Sequence, residues 1–338
     1  MRVASSFCIS SPWSFPVALP IVLSCWLPGK AQESFSSLRL SSNALSSGLG
    51  GVNVSLADRN VGLFGNNPAL NSDSLNGWAE ASYLFYFAHV GMANVALQTQ
   101  LGKLGSIALG VQHLSLGSID GYDWVGQPLG TFRSGETTVT IGKSHQVQQF
   151  RLGINARFIS SQIAGFRATA IAIDFGGLYL HPNQRFVVGL VFKNMGLVVA
   201  DYTSASESHL PFDIQAGLTV KPEHMPVRFS VTGHRLTKFK TAYESTRMNF
   251  DKPSTLDRVV SHLNLAVEAP VHRNVSLLLG YQFLRHQELS FDNAGGGSGV
   301  SIGALVSVKQ TQFVFSRVGY ATGGSYQVSI SNNLSRLF

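Results

Sequence analysis

The feature that most constrains the fold is a two-residue alternation of apolar and polar side chains, which recurs from residue 78 to the end. Between residues 150 and 158 every second residue is apolar, and those between are charged, polar or glycine. The pattern returns in residues 212–221, 275–283 and 300–308. Successive side chains of a strand point to opposite faces, so this period predicts strands with one apolar and one polar face.

Composition agrees with β structure and limits how the chain could enter a membrane. Charged residues make up only 13% and hydrophobic residues 44%, with 34 Gly and 22 Phe, which is poor in the residues that build soluble helices. No run of about 18 uninterrupted apolar residues follows the N-terminus, so a bilayer would have to be crossed by strands.

Turn signals divide the chain from residue 78 onward into about fourteen strands, and many of these are long enough to cross a bilayer when tilted. The predicted spans are 78–89, 92–101, 104–116, 132–145, 148–160, 166–180, 185–199, 211–221, 226–238, 259–270, 274–287, 298–308, 311–321 and 325–335. Short connections alternate with mostly longer ones, as in outer-membrane barrels. A soluble β fold is the alternative, but it has no reason to keep this asymmetry. We predict an all-β, transmembrane antiparallel barrel in the outer membrane.

The first 31 residues are typical of a cleaved signal peptide, with a positive start, a short apolar run and a small-residue cleavage site at residues 29–31. An uncleaved anchor is the alternative. Cleavage removes two basic residues, so the formal net charge falls from +7 (25 − 18) to +5 (23 − 18). The predicted domains are the signal peptide 1–31, an N-terminal extension with a hatch-like segment 32–77, and the outer-membrane barrel 78–338.

Both cysteines, Cys8 and Cys25, lie inside the predicted signal peptide. A mature chain without cysteine excludes thiol catalysis, cysteine-ligated metal and disulfides. The basic residues are spread along the chain, so a nucleic-acid surface is not indicated.

Catalytic patterns are present only as fragments. Residues 299–303 fit G-x-S-x-G, but they lie in an alternating strand with no helix after it, which a nucleophile elbow needs. Residues 240–242 come near K-T-G, yet no S-x-x-K occurs. Ten His are scattered without metal-site spacing. The sequence therefore predicts a protein without catalytic residues, metal site or cofactor.

Aromatic residues near predicted strand ends are typical of the girdles at membrane interfaces. They are Tyr83, Phe85, Tyr86, Phe87, Phe313, Phe315, Tyr320 and Tyr326. Core packing is the alternative for any one of them. The last residue, Phe338, resembles the C-terminal aromatic signal of outer-membrane barrels, which implies a role in barrel assembly.

Residues 48–58, a small-residue run with three Gly, are followed by an Asn-Asn-Pro-Ala motif. Together they resemble the N-terminal hatch of the long-chain fatty-acid transporter superfamily of fourteen-stranded barrels. The resemblance implies a hatch-like motif at Gly50, Gly51, Asp58, Asn66, Asn67 and Pro68. A Gly-rich segment can pack inside a lumen, and Asn-Pro breaks a helix before the first strand. An ordinary cap or inlet strand is the alternative.

Further short motifs run in order over the whole mature chain. They are residues 121–123, 160–165, 174–178, 193–196, 221–226 and 279–281. Together they resemble the PorQ family of outer-membrane barrels in the type IX secretion system of Bacteroidota. That resemblance implies a barrel that works with the sortase PorU, the barrel PorV and PorZ in attaching secreted cargo to surface lipopolysaccharide. Residues 239–258 do not match the family, so docking surfaces there are unassigned.

Three functions compete on this sequence. The first is a non-enzymatic component for secretion and surface attachment of proteins, with the loops 117–131, 239–258 and 287–297 as docking candidates. The second is an outer-membrane transporter of hydrophobic molecules such as fatty acids. Its lumen should be apolar, whereas the inward faces are expected to carry Arg151, Asn155, Arg157, Gln215 and Lys221. The third, an enzyme barrel, needs a convergent catalytic set, and no such spacing is visible.

Overall fold

The computed structural model of the chain describes residues 34–57, 60–183, 185–237, 255–289, 297–320 and 323–334. Fourteen described strands form one closed antiparallel barrel in which each strand pairs with its sequence neighbours. Strand β1 (Trp78–Phe85) closes it by pairing with β14 (Gly323–Asn333). Because the barrel is closed, the backbone groups of both end strands are hydrogen-bonded, as they must be in lipid. The predicted antiparallel barrel of about fourteen strands is confirmed.

The remaining strands are close to their predicted spans at most positions. In chain order they are β2 Gly91–Gln100, β3 Ser106–Tyr122, β4 Pro128–Val147, β5 Phe150–Ile163, β6 Phe166–Leu180, β7 Phe186–Ala200, β8 Asp213–Val220, β9 Arg228–Gly233, β10 Leu263–His272, β11 Val275–Gln282, β12 Val300–Val308 and β13 Thr311–Tyr320.

Among the strands that are shorter than predicted, two differ most from their predicted spans. Strand β9 ends at Gly233 rather than 238, because the next residue leaves the sheet and His234 becomes buried. Strand β11 ends at Gln282 rather than 287, and the helix Phe283–Leu289 follows. The apolar–polar alternation continues past Gln282 in the sequence, but the helix leaves Leu284 only 2% exposed. Burying this side chain stabilises the helix relative to further strand pairing.

The hairpin β3–β4 is longer than predicted. Residues 117–131 were expected to form a loop, yet most of them continue the ladder, with a bulge between Ser115 and Ser118. At the tip, Oδ1 of Asp123 accepts hydrogen bonds from the backbone N–H groups of Val125 (2.9 Å) and Gln127 (2.7 Å). This side-chain cap closes the turn.

Alternate residues of each strand divide cleanly between the two faces of the barrel. On β5, Leu152 is 65% exposed and faces outward, whereas Asn155 and Arg157 face the lumen and are buried. An outward apolar band of this kind matches the lipid face of a membrane barrel. No described helix is both long and apolar enough to cross a membrane.

The barrel has two unlike ends. The six connections after the even-numbered strands β2 to β12 are short and lie with residue 78 on what we call the turn side. The opposite end, the loop side, carries residues 201–212 and the described helix Thr255–Ser261. The β5–β6 turn is a short exception there: Ala164 and Gly165 both have positive φ, as a tight hairpin requires. In outer-membrane barrels the turn side faces the periplasm.

We expect the mature protein to fractionate with the outer membrane and to migrate differently on gels before and after boiling. A closed barrel with a lipid-facing apolar band resists detergent until heated, because its strand pairing has no free edge. Electrophoresis of boiled and unboiled outer-membrane fractions measures this. Recovery of the protein in the soluble periplasm without detergent would contradict the barrel.

Candidate functional site: a luminal segment and two cavities

The N-terminal segment before β1 runs through the barrel from the loop side to the turn side. We call residues 34–77, apart from 58–59 outside the described part, the luminal segment. It begins where Oγ of Ser34 donates to Oγ of Ser208 in the β7–β8 loop (3.0 Å). It ends where Oγ of Ser106 donates to Asp73 (2.6 Å) beside the β2–β3 turn.

Short helical turns follow one another along this path. They are the 3₁₀ turn Ser36–Arg39, the helix α1 Ala44–Gly48, and the 3₁₀ turns Val61–Gly65, Pro68–Leu70 and Asp73–Leu75. The side chain of Asn43 caps α1 by accepting from the N–H of Ser46 (2.9 Å). Asn67 caps the third 3₁₀ turn, whose first residue is Pro68.

Of the residues in the proposed hatch-like motif, the structure places Gly50, Gly51, Asn66, Asn67 and Pro68 inside the lumen. Asp58 lies outside the described residues, as do the predicted signal peptide 1–31 and Phe338. Asn66 donates to Oγ of Ser46 (2.8 Å), and Asn67 donates to the carbonyl of Val54 (2.9 Å). These two amides therefore fold the segment onto itself.

Leucines of the luminal segment provide its apolar contact with the wall. Leu45, Leu49, Leu56 and Leu63 are each at most 1% exposed and belong to one core cluster with wall residues Leu178, Leu278 and Val314. Full burial of a leucine side chain stabilises a fold by roughly 1.5–3 kcal/mol. The lumen is therefore filled at this level by a packed core.

Two of the wall glycines let the luminal segment lie directly against the strands. A Cβ placed on Gly153 would lie under 3.0 Å from backbone atoms of Pro68 and Ala69, and one on Gly176 would overlap Asn67 and Pro68. No side chain fits at this separation. The sequence analysis did not single out these glycines, although the inward position of Gly153 beside Arg151 and Asn155 was visible in the alternation.

A buried polar cluster on β5, β6 and β7 binds the luminal segment. Nε of Arg157 donates to Oδ2 of Asp174 (2.7 Å), and both residues are buried. Arg157 Nη2 also donates to the carbonyl of Gly65 (2.8 Å). Asn155 donates to the carbonyl of Phe64 (2.9 Å). We call Asn155, Arg157 and Asp174 the Arg157 lock.

A bulge in β7 completes the Arg157 lock. Lys193 and Asn194 together oppose the single residue Asp174, because the register shifts between Ile173 and Phe175. Asn194 has φ of 57°, and its backbone N–H donates to Oδ1 of Asp174 (2.8 Å). The bulge thus adds a third hydrogen-bond donor, beside Arg157 and Asn155, to a carboxylate that is 0% exposed.

A second buried lock lies where β1 meets β14. Asn60 of the luminal segment donates to Oε2 of Glu80 (2.7 Å), which also accepts from Oγ of Ser331 (2.8 Å). Next to it, the backbone N–H of Ala44 donates to Oγ of Ser329 (2.9 Å). At this seam, buried polar groups of the wall therefore bind polar groups of the segment, as a filled lumen requires.

On the loop side, Asn264 of β10 donates to the carbonyls of Leu49 (2.9 Å) and Val52 (2.7 Å). We call the helix Thr255–Ser261 α2 and the helix Phe283–Leu289 α3. Above Asn264, Nη2 of Arg285 in α3 donates to the carbonyl of Gly50 (3.3 Å). Burial lowers the pKa of His234, next to this helix, to about 3. Its imidazole is therefore uncharged at neutral pH.

The luminal segment separates cavities at the two ends of the barrel. The larger, about 1120 Å³, opens at the turn side over Ser72 and Ser74; we call it the vestibule. On the loop side lie cavities of about 100 Å³ and about 30 Å³, with Lys193 on both linings. Among the described residues, none lines both the vestibule and a loop-side cavity.

Catalytic and metal chemistry has no assembled site in the described ranges. Ser301 of the G-x-S-x-G fragment lies within β12, which continues as a strand to Val308. No group of three or more His, Cys, Asp or Glu in the described ranges is placed to hold a metal ion. A nucleophile elbow requires a sharp strand-to-helix turn, and Ser301 lacks it.

Comparison with known proteins gives matches in structure alone. No known protein family and no curated protein matches the sequence. The TodX monoaromatic hydrocarbon channel (a deltaS2 mutant) matches with a TM-score of 0.51 and 12% identity, over 87% of this chain and 97% of that one. The chain is an outer-membrane β-barrel. Its fold is similar to that of the TodX channel.

Two further solved structures have lower scores. A FadL homologue of Pseudomonas aeruginosa has a TM-score of 0.48 and 10% identity, covering 87% of this chain and 98% of that one. The KdgM porin has a TM-score of 0.35 and 5% identity, covering 75% and 98%.

Proposed function

We propose that this barrel is a non-enzymatic component for the secretion and surface attachment of proteins, and that it does not conduct its cargo. The observation that carries the proposal is the filled lumen. Buried locks at Arg157 and Glu80 hold the luminal segment across the barrel. A barrel that serves as a rigid platform can keep this segment in place, whereas a conduit would have to displace it.

The partners proposed here come from the resemblance of the sequence to the type IX secretion barrels. They are PorU, PorV and PorZ-like components, together with outer-membrane lipid and lipopolysaccharide. The attachment chemistry would belong to the sortase. The barrel would contribute position and docking surface.

The hairpin β3–β4 is the best docking candidate on the loop side. Its tip carries Tyr122, Trp124, Val125 and Leu129, with exposures of 63%, 96%, 64% and 62%. Exposed aromatic residues are enriched where proteins bind one another. The ladder behind the tip and the Asp123 cap hold these side chains in place, which lowers the entropy lost on binding.

A second candidate is an outer-membrane channel for hydrophobic molecules, such as fatty acids. The structural neighbours favour it over the first candidate, since TodX is described as a monoaromatic hydrocarbon channel. Opposing it is the lining of the vestibule and loop-side cavities, which includes Arg151, Lys193, Asp213 and Arg228. A site for apolar ligands is lined mostly by apolar side chains.

The test is to change the hairpin tip and measure both functions in the native host. We expect Trp124→Ser with Val125→Ser to reduce retention of secreted cargo at the cell surface several-fold, because an exposed aromatic anchor typically contributes about 2 kcal/mol to binding. Uptake of a fluorescent fatty acid should not change. A matched control is Leu256→Ser on α2, a similarly exposed apolar residue on the same side (71%).

Lost uptake with normal cargo retention would overturn the secretion proposal and favour the channel. Equal loss of cargo retention in the Leu256→Ser control would show that the hairpin tip is not the docking site. Barrel assembly is checked in each strain by the migration of unboiled protein, since both changes lie on solvent-exposed positions.

A further inference from the structure

The vestibule carries positive charge on a surface that lipid cannot reach. Its lining includes Arg151, Arg185, Lys221 and Arg228, from four different strands or turns, and one carboxylate, Glu223. A second carboxylate, Glu268, pairs with Arg228 at 2.5 Å. The barrel wall separates this concave surface from the bilayer, and its opening lies on the turn side. A ligand must therefore enter from the periplasm.

Two of the four cations form no ion pair with a described carboxylate, although the charge of Asp73 is close enough to interact with that of Arg151. Arg151 donates both Nε (3.1 Å) and Nη2 (2.6 Å) to the uncharged amide oxygen of Gln146. Lys221 is exposed, and no described carboxylate forms an ion pair with it. Arg185 pairs with Glu223, and both are about half exposed. Screening by water makes such an exposed pair weak and exchangeable.

The uncharged part of the lining offers hydrogen-bonding groups. Amides of Gln146, Gln148 and Gln149 lie on one side, and hydroxyls of Ser72 and Ser74 form the floor on the luminal segment. Amides both donate and accept hydrogen bonds, which is what an extended peptide backbone requires. The volume, about 1120 Å³, exceeds that of a pocket for a single small molecule.

We propose that the vestibule binds an extended acidic segment of a polypeptide that enters from the periplasmic side. Spaced cations pair with spaced carboxylates, and the glutamine amides and serine hydroxyls bind the backbone between them. Concave surfaces of one charge sign also concentrate oppositely charged ligands and speed their association. The site lies at the opposite end of the barrel from the hairpin tip, so it is independent of the proposed loop-side docking.

The experiment uses the whole mature protein in nanodiscs of zwitterionic phosphatidylcholine. The probe is a fluorescein-labelled peptide of alternating Glu and Ser, followed by fluorescence anisotropy, with the matching Lys–Ser peptide as the charge-reversed probe. We expect the Glu–Ser peptide to bind with an affinity that falls as salt rises. The Lys–Ser peptide should not bind.

The variant Arg151→Gln with Lys221→Gln should weaken binding by about tenfold or more, because charge-assisted hydrogen bonds are the strong ones. The control is Arg273→Gln with Lys309→Gln, two exposed turn-side cations that do not line the vestibule. It removes the same charge and should change affinity by less than about twofold. Migration of unboiled protein verifies that both variants fold.

Three results would overturn the proposal. Equal weakening in both variants would mean that diffuse turn-side charge binds the peptide. Displacement of the peptide by equimolar free glutamate or inorganic phosphate would mean a small-anion site. No binding of the Glu–Ser peptide at low salt would mean that the vestibule takes no acidic segment.

Discussion

Replacing both Gly153 and Gly176 with leucine is expected to open the blocked lumen, so that the barrel conducts ions. Both glycines touch the luminal segment: an added Cβ on Gly153 would overlap the backbone of Pro68 and Ala69, and one on Gly176 would overlap the side chains of Asn67 and Pro68. The four side-chain atoms that each leucine adds cannot be accommodated between a strand and a segment in contact with it. The segment must therefore leave this part of the lumen.

The strands themselves should still pair, because leucine is compatible with β structure and both positions face the lumen. Single-channel recording in planar bilayers measures the effect: the unchanged protein should show little conductance, and the variant should show stable open steps. Cells should also become sensitive to large antibiotics that the outer membrane excludes.

The control for this variant is Gly177→Leu, next to Gly176 on the same strand. A Cβ there meets only the side chain of Leu152, at an ordinary 3.6 Å. This change adds the same atoms to the outer face and should leave conductance unchanged. If Gly153→Leu with Gly176→Leu folded normally and remained closed, the luminal segment would not be what seals the barrel.

Replacing Arg157 with methionine is expected to release the luminal segment and destabilise the barrel by about 3–5 kcal/mol, the typical cost of leaving one buried charge without its partner. Asp174 is 0% exposed, and the substitution removes its cation while leaving the carboxylate in place. The contact of Arg157 with the carbonyl of Gly65 is lost as well.

The measurement is the temperature at which the purified protein in detergent loses its unboiled migration, together with the rate of protease cleavage within residues 34–77. The temperature should fall and the rate of cleavage should rise, because the segment is held less tightly. Adding Asp174→Asn to Arg157→Met should recover part of the loss, because the uncharged amide costs less to bury.

The control for the Arg157 lock is Arg185→Ala, which breaks the exposed pair with Glu223. Both partners are about half exposed, so the expected cost is about 0–1 kcal/mol after screening by solvent. If Arg185→Ala lost as much stability as Arg157→Met, burial would not be what makes the Arg157 ion pair important. An unchanged unfolding temperature for Arg157→Met would show that the lock does not hold the segment.

Much of the barrel could be predicted from the chain because strand alternation is a local property. The side chains of β5 point as the apolar–polar alternation predicts: Leu152 points outward, and Asn155 and Arg157 point inward. Strand ends were less predictable. The alternation passes through Phe283, but the chain turns there into α3, since Leu284 gains burial over the lumen. Hairpin β3–β4 extends because a ladder can continue beyond the bilayer.

The candidate site was only partly visible in the sequence. The Asn66-Asn67-Pro68 motif was singled out by resemblance, and the structure places it inside the lumen. The wall glycines at 153 and 176 carried a signal, namely small residues at inward positions, that was not used. Arg157 was identified as inward and polar. Its partners Asp174 and Gly65 are far along the chain from it, so no spacing rule connects them.

The sequence by itself determined which face of each strand meets lipid, and therefore that the chain closes into a membrane barrel, because side-chain direction alternates with every residue whatever the neighbours are. Only the tertiary structure decided what fills that barrel. The contacts of the luminal segment with Gly153 and Gly176, and the bulge that brings Lys193 and Asn194 opposite Asp174, depend on residues distant in the chain. Packing and buried hydrogen bonds arise from three-dimensional proximity, which local periodicity does not encode.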